Sequence, residues 1–147
     1  MAWHASWAGA IWARVDAFLS RLAARESVLP GTARFRFGRA GERIARRYLR
    51  RLGYRIVVQN YRAAGAEIDI VAMDGETIVF VEVKRRTGIA AGTPEEAVTP
   101  AKQEQIRRAA EVFVAYHRAA DRVARFDVIA IVEDGRARRI QHLKDAF

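Results

Sequence analysis

At 147 residues, 51% hydrophobic and 10% aromatic, the chain is long enough for one domain with a real core and too apolar to be disordered. It has no cysteine, which excludes a disulfide framework and a thiolate metal site and fits a reducing, cytoplasmic setting. A formal charge of +9, almost all of it from arginine, points to a polyanionic partner such as nucleic acid or an anionic membrane surface.

In residues 1 to about 24, Trp3, Trp7, Ile11, Val15, Phe18 or Leu19, and Leu22 recur at spacings of three and four, the stripe of an amphipathic helix. Arg14 and Asp16 interrupt it, and nothing in the chain reaches the ~20 unbroken apolar residues of a spanning helix. A docking or dimerising helix, a membrane-surface helix and an ill-ordered extension all fit the pattern. Leu29-Pro30-Gly31 ends it. The expected division is therefore an appendage and linker over 1–33 and a domain over 34–147.

From Arg34 to Arg62 there are ten arginines and one acid, Glu42. Ala45, Tyr48, Leu49 and Leu52 make a helical stripe closed by Gly53, with Arg43, Arg46, Arg47, Arg50 and Arg51 on the other faces. Those arginines read either as a solvated face or as phosphate contacts. Glu42 falls on the inward side, within reach of an i,i+4 pair with Arg46. A strand is expected over Tyr54 to Gln59, then a loop of small residues over Asn60 to Ala66.

The next stretch, Glu67 to Lys84, contains two strand-like runs around Asp74-Gly75, a strong hairpin signal. With Asp74-Gly75 as the two-residue loop, Met73 faces Glu76, Asp69 faces Phe80 and Glu67 faces Glu82. Alternation then gives one apolar face, Ile68, Ile70, Ala72, Val79, Val81 and Val83. The other face carries Glu67, Asp69, Glu82 and Lys84 beside Val71, Ile78 and Phe80. Carboxylates are rarely buried unless paired or bound to a metal. A divalent cation among them, Mg2+ with retained waters, would relieve the repulsion; the simpler reading is a Lys84 ion pair at a fraying hairpin end.

Arg85-Arg86 and Gly88 to Pro94 read as a basic loop. A second helix is expected from Pro94-Glu95-Glu96 with Thr93 as N-cap, or re-initiated at Thr99-Pro100. Its stripe is Val98, Ile106, Ala109, Val112 or Phe113, and Tyr116, with Lys102 on the same stripe, either snorkelling or facing an anion. Phe126 to Val132 reads as a buried strand, Asp134-Gly135 as a turn and Arg138 to Leu143 as a last strand. His4, His117 and His142 lack metal-ligand spacing and read as surface residues.

With this order of elements, and with Glu42, Asp69, Glu82-x-Lys84 and Lys102 turned one way, the chain resembles the restriction-endonuclease-like nucleases of the PD-(D/E)XK superfamily. Among its small members it is similar to the Holliday-junction resolvases. More specifically it looks like the uncharacterised YraN-type bacterial family. The residues that carry the likeness are Gly38 to Glu42, Glu67 to Asp69, Phe80 to Arg85, Lys102, Arg125 to Asp127 and Ala146-Phe147. One position departs: Ala66 stands where that family usually has glycine, with Gly65 one place earlier.

The resemblance implies an α/β fold, a restriction-endonuclease-like core of helix, three strands, helix and strand (αβββαβ) in a mixed sheet flanked by helices. It implies Mg2+, or Mn2+ in its place, held by Asp69, Glu82 and the carbonyl of Val83, with Glu42 as an outer or second-metal ligand. Lys84 would orient or activate the attacking water and stabilise the phosphate. Lys102 and Gln105 would meet the substrate, and Arg85, Arg86, Arg43, Arg46, Arg47 and Arg50 would grip its backbone. The expected activity is endonuclease-like hydrolysis of phosphodiesters in structured or branched DNA, with a homodimer suited to a symmetric substrate; a membrane-surface scaffold built on the N-terminal helix is the less favoured partner reading. The competing expectation is an accessory protein that binds nucleic acid through the arginine face without turnover.

Overall fold

The computed structural model describes residues 33–87 and 98–147. The helix expected over residues 1 to 24 and the helix start expected at Thr93 to Glu96 lie outside these. In chain order the described elements are α1 (Ala33–Arg51), β1 (Arg55–Ala63), β2 (Ala66–Asp74), β3 (Thr77–Thr87), α2 (Pro100–Tyr116), β4 (Ala124–Asp134) and β5 (Ala137–Leu143). The strands form one sheet in the order β1-β2-β3-β4-β5. All neighbours are antiparallel except β3 and β4, which run parallel. A parallel pair cannot be joined by a tight turn, and α2 lies in the crossover between them.

Helix α1 forms because its apolar positions fall on one stripe and its arginines on the rest. Ala45 and Leu49 are fully buried, with Ile44 and Tyr48 partly so. The helix stops at Gly53, whose φ of +88° only glycine adopts cheaply. The Gly53 N–H then donates to the Arg50 carbonyl and the Tyr54 N–H to the Leu49 carbonyl, each at 3.0 Å, a Schellman ending that seats Tyr54 in the core. Leu52, expected inward, is half exposed. Helix α2 starts at Thr99, whose hydroxyl accepts the Lys102 N–H at 3.3 Å, followed by Pro100, which needs no N–H partner there.

The two helices cover opposite faces of the sheet. Under α1 lie Ile70, Ala72, Val79, Val81, Ile129 and Ile131. On the other face Phe113 of α2 meets the rings of Tyr61 at 5.2 Å and Phe80 at 5.7 Å, and Phe126 stacks on Phe80. Of the alternatives Val112 and Phe113 it is Phe113 that is buried, with Ile106, Ala109 and Ala110, while Val112 and Tyr116, the latter expected on the inner stripe, are exposed.

The β2–β3 register differs from the expected one. Asp74 pairs with Thr77, so the loop is Gly75-Glu76, and Val71 faces Phe80 and Ile70 faces Val81. Gly75, at φ +59°, takes the first loop position, where a type II′ turn needs a residue without a Cβ. Asp74 stays in the strand because its carboxylate is held by the Arg125 guanidinium at 2.9 Å. The Asp134-Gly135 turn repeats this form, with Asp134 paired to Ala137. Between β1 and β2 the expected seven-residue loop is only Ala64-Gly65, both at positive φ. Ala66 already pairs with Ala63 in the ladder, so the glycine-like angle sits one place before it.

Candidate functional site

The corrected register moves both strands by one pair, which keeps every side chain on its expected face. It changes the partners. Continuing the ladder past Ile70–Val81 brings Asp69, not Glu67, across from Glu82. The link is direct: the Val83 N–H donates to Asp69 Oδ2 at 2.7 Å.

Glu82 is only 4% exposed. Its Oε1 accepts from Lys84 Nζ at 2.8 Å. Its Oε2 is buried and has no hydrogen-bond partner, the nearest cation being Lys102 Nζ at 3.6 Å. Lys102 donates instead to the Glu67 carbonyl at 3.2 Å. Burial, then the neighbouring Glu82 charge, push the Asp69 carboxyl up to about 8; Glu42 adds to the push, while the Val83 N–H and Lys102 oppose it. Two carboxylates and two ammonium groups thus share a partly dry corner between β2, β3 and the start of α2.

Glu42 stands at the margin of this corner. Its Oε2 accepts from Asn60 Nδ2 at 2.9 Å, so it is tied to β1 rather than to Arg46, whose guanidinium goes to Gln59 Oε1. Asn60 is a site residue that sequence reasoning placed in a loop. It lies inside β1 at φ +51°, and the usable signal was that Asn is among the side-chain-bearing residues enriched at that angle. Gly41 sets how close α1 comes: a Cβ there would lie 3.1 Å from Arg85 Cβ and 3.7 Å from Val83 Cγ1.

Other expected site residues are placed elsewhere. The Glu67 carboxylate leaves the corner to pair with Arg62 at 3.0 Å. Arg85 turns to the α1 side and binds Glu133, with Nε at 3.0 Å, so it ties β3 to β4 instead of reaching outward. Arg86, by alternation, shares the face of Glu82 and Lys84. Gln105 is exposed on α2, and Arg43, Arg47 and Arg50 are exposed on α1. Among the described residues no three acidic or histidine side chains converge as a ready metal cage.

Arg125 to Asp127 forms a second polar cluster on the α1 side. Asp127 is fully buried; it accepts from Arg125 Nε at 3.0 Å and the Asp145 N–H at 3.0 Å, and lies 2.8 Å from His142 Nε2. Burial alone would raise its carboxyl, but the His142 and Arg125 hydrogen bonds outweigh it and hold it below the ordinary range. Arg125 also reaches Tyr54 Oη at 2.7 Å and Asp74. His142 is therefore a buried partner, not a surface residue, and His117 is buried against Phe113; His4 lies outside the described residues. The tail closes on the same strand, with the Ala146 N–H on the Phe126 carbonyl at 2.7 Å and Phe147 stacked on Phe126.

Fold and site together define a mixed α/β protein: five strands, two described helices, and at a sheet end an acidic pair of a buried Glu82 and a half-buried Asp69. No helix among the described residues is long and apolar enough to cross a membrane. The chain belongs to the family described as uncharacterised protein family UPF0102, whose model matches residues 41–131, from Gly41 to the middle of β4. A UPF0102 protein of Geobacter metallireducens is 51% identical over 110 residues, covering 75% of this chain and 90% of the relative. Others are that of Geotalea daltonii, at 50% over 111 residues (75% and 87%), and that of Chlorobium limicola, at 46% over 116 residues (75% and 90%).

Proposed function

We propose that the protein is a metal-dependent, endonuclease-like phosphodiester hydrolase that binds and cleaves structured or branched DNA, on a restriction-endonuclease-like core. The observation that carries this reading is the Glu82 carboxylate. It is buried with one oxygen lacking a hydrogen bond, next to a second carboxyl that burial and like charge push toward its neutral form. That arrangement costs stability unless a cation completes it. A hard divalent ion fits the donor set, and Mg2+ in particular suits few protein oxygens and several waters; Mn2+ would serve in its place. The order of elements supports the core: helix, three antiparallel strands, helix, and a strand parallel to the third.

Asp69, Glu82 and the carbonyl of Val83 would hold the ion, with Glu42 adding negative charge from the edge. Such an ion polarises a phosphoryl oxygen and lowers the pKa of bound water. The remaining work falls to the chain itself. The Val83 N–H fixes the Asp69 carboxylate, and Asn60 fixes Glu42. Lys84, anchored on Glu82 Oε1, presents a fixed positive charge where charge grows on the phosphate, stabilising it without reorganisation. Lys102 and Arg86 meet the backbone near the site, while Arg43, Arg47 and Arg50 hold it farther away. About six phosphate contacts would give a log-log salt slope of roughly −5. A two-fold homodimer would match a symmetric junction, and we assign the protein to the cytoplasm.

The test is incubation of a labelled four-way junction, matched duplex and single strand with Mg2+, Mn2+ or EDTA, using wild type and Glu82→Ala. Metal-dependent nicking of the junction that disappears in the variant is expected. Binding without cleavage under every metal would favour the second reading, an accessory nucleic-acid-binding protein. That reading is favoured by one observation, that Lys84 already neutralises Glu82.

A further inference from the structure

Lys102 faces two ways. Its Nζ is 3.6 Å from the orphan Glu82 Oε2, too long for a hydrogen bond but close enough for strong attraction at low dielectric. Its one short contact is to the Glu67 carbonyl at 3.2 Å. The side chain is 29% exposed, against 5% for Glu82, so the ammonium sits at the mouth of the corner with the carboxylate behind it. Lys84 already occupies the other Glu82 oxygen at 2.8 Å. The position Lys102 approaches is thus the one an oxygen-seeking dication needs.

We propose that Lys102 is a displaceable counter-ion. In the metal-free protein it neutralises the orphan oxygen of Glu82, and when a divalent cation takes that oxygen, Lys102 is freed to bind a phosphate of the substrate. This rests on the metal-dependent reading above and goes further, by linking metal loading to backbone binding through one side chain. The physical basis is that a lysine and a dication cannot both press on one carboxylate without repelling each other. The Lys102 stem starts at the third residue of α2, near the helix end, and a swing of its terminal carbons outward breaks one hydrogen bond, to Glu67, besides the Glu82 contact that the dication replaces.

Two consequences follow for Lys102→Met, which keeps the stem. At mildly alkaline pH the variant should bind Mn2+ roughly tenfold tighter than wild type by calorimetry, about 1.4 kcal/mol, while Lys102→Arg stays near wild type. In DNA binding with Ca2+, which avoids turnover, the wild-type log-log salt slope should exceed that of the Met variant by about 0.9, the equivalent of one neutralised phosphate; without a divalent ion the two slopes should coincide. Thermal melting of both variants, with a cooperative transition near wild type, establishes that they fold. Unchanged or weaker Mn2+ binding in Lys102→Met overturns the counter-ion role, and equal slopes in Ca2+ overturn the release to phosphate. Glu82→Gln separates the two levels. If it abolishes Mn2+ binding while Lys102→Met changes nothing, the metal site stands and this inference falls; if wild type binds no Mn2+ at all, both fall.

Discussion

Replacing Asp69 by Asn should make the metal-free protein more stable at neutral pH, and the gain should vanish in acid. The Asp69 carboxyl is shifted from 3.8 to about 8 by burial and the facing Glu82. A carboxyl with a higher pKa in the native state binds more protons folded than unfolded, so stability is full below the unfolded value and falls as pH rises through the window to the folded one. At about 1.4 kcal/mol per unit, the interval from 3.8 to pH 7 corresponds to about 4 kcal/mol at full linkage. Local opening to water and closer approach of Lys102 reduce this, and about 2 kcal/mol is the expected gain. Asn keeps an oxygen for the Val83 N–H and carries no charge in either state. For a chain of this length the gain is about 7 °C in Tm. The assay is thermal denaturation in EDTA from acid to mildly alkaline pH. The curves for wild type and variant should converge near pH 4. Added Mg2+ or Mn2+ should raise the Tm of wild type but not of the variant. A variant less stable than wild type at pH 7, or a difference independent of pH, would refute the electrostatic account of the Asp69–Glu82 pair.

Arg125→Met removes a donor from Asp127 and from Asp74, leaving a fully buried carboxylate short of one of its partners; urea denaturation should record a loss of about 3 kcal/mol. Because Asp127 is held below the ordinary carboxyl range, its contribution is present above that range and lost as pH falls, and the variant should lose stability at a higher pH than wild type does. Gly41→Val places a branched side chain where Arg85 Cβ would be 3.1 Å from the first carbon, so α1 must move off β3 at a cost of about 2 kcal/mol by the same denaturation measurement. Exchanging Arg43, Arg47 and Arg50 together for Ala should flatten the salt dependence of DNA binding by about 0.9 for each phosphate no longer neutralised, up to ~2.7, with the fold intact by circular dichroism.

The sheet's faces were legible in the sequence because alternation is fixed by the backbone and survives a shift of both strands together. Partners were not, because the Asp74-Gly75 signal specifies a turn without specifying which residue leads it. What decided the register lies 51 positions away, in Arg125, whose guanidinium draws the Asp74 carboxylate into the strand. Lys102 was readable in part: an ammonium on an apolar stripe either snorkels or faces an anion, and its Nζ lies 3.6 Å from Glu82 Oε2. The pairing of Asn60 with Glu42, the inward turn of His142 and the loss of Arg85 to Glu133 were not readable. Each depends on a partner from a different strand or helix, and neither composition nor periodicity carries such pairings.

The acidic corner also separates the two readings of function. A module that only binds nucleic acid through exposed arginines has no use for a carboxylate at 4% exposure, still less for one with an unsatisfied oxygen facing a second acid. Well-packed apolar residues at Asp69 and Glu82 would serve such a module at least as well, since replacing buried charges by hydrophobic side chains of similar volume is often neutral or stabilising by about 1–4 kcal/mol. The double variant Asp69→Leu, Glu82→Met is therefore a discriminating molecule. A binding module should keep its DNA affinity in it, gain stability, and lose no function in the cell. For a hydrolase the same stability gain should come with loss of all divalent-ion binding and of cleavage.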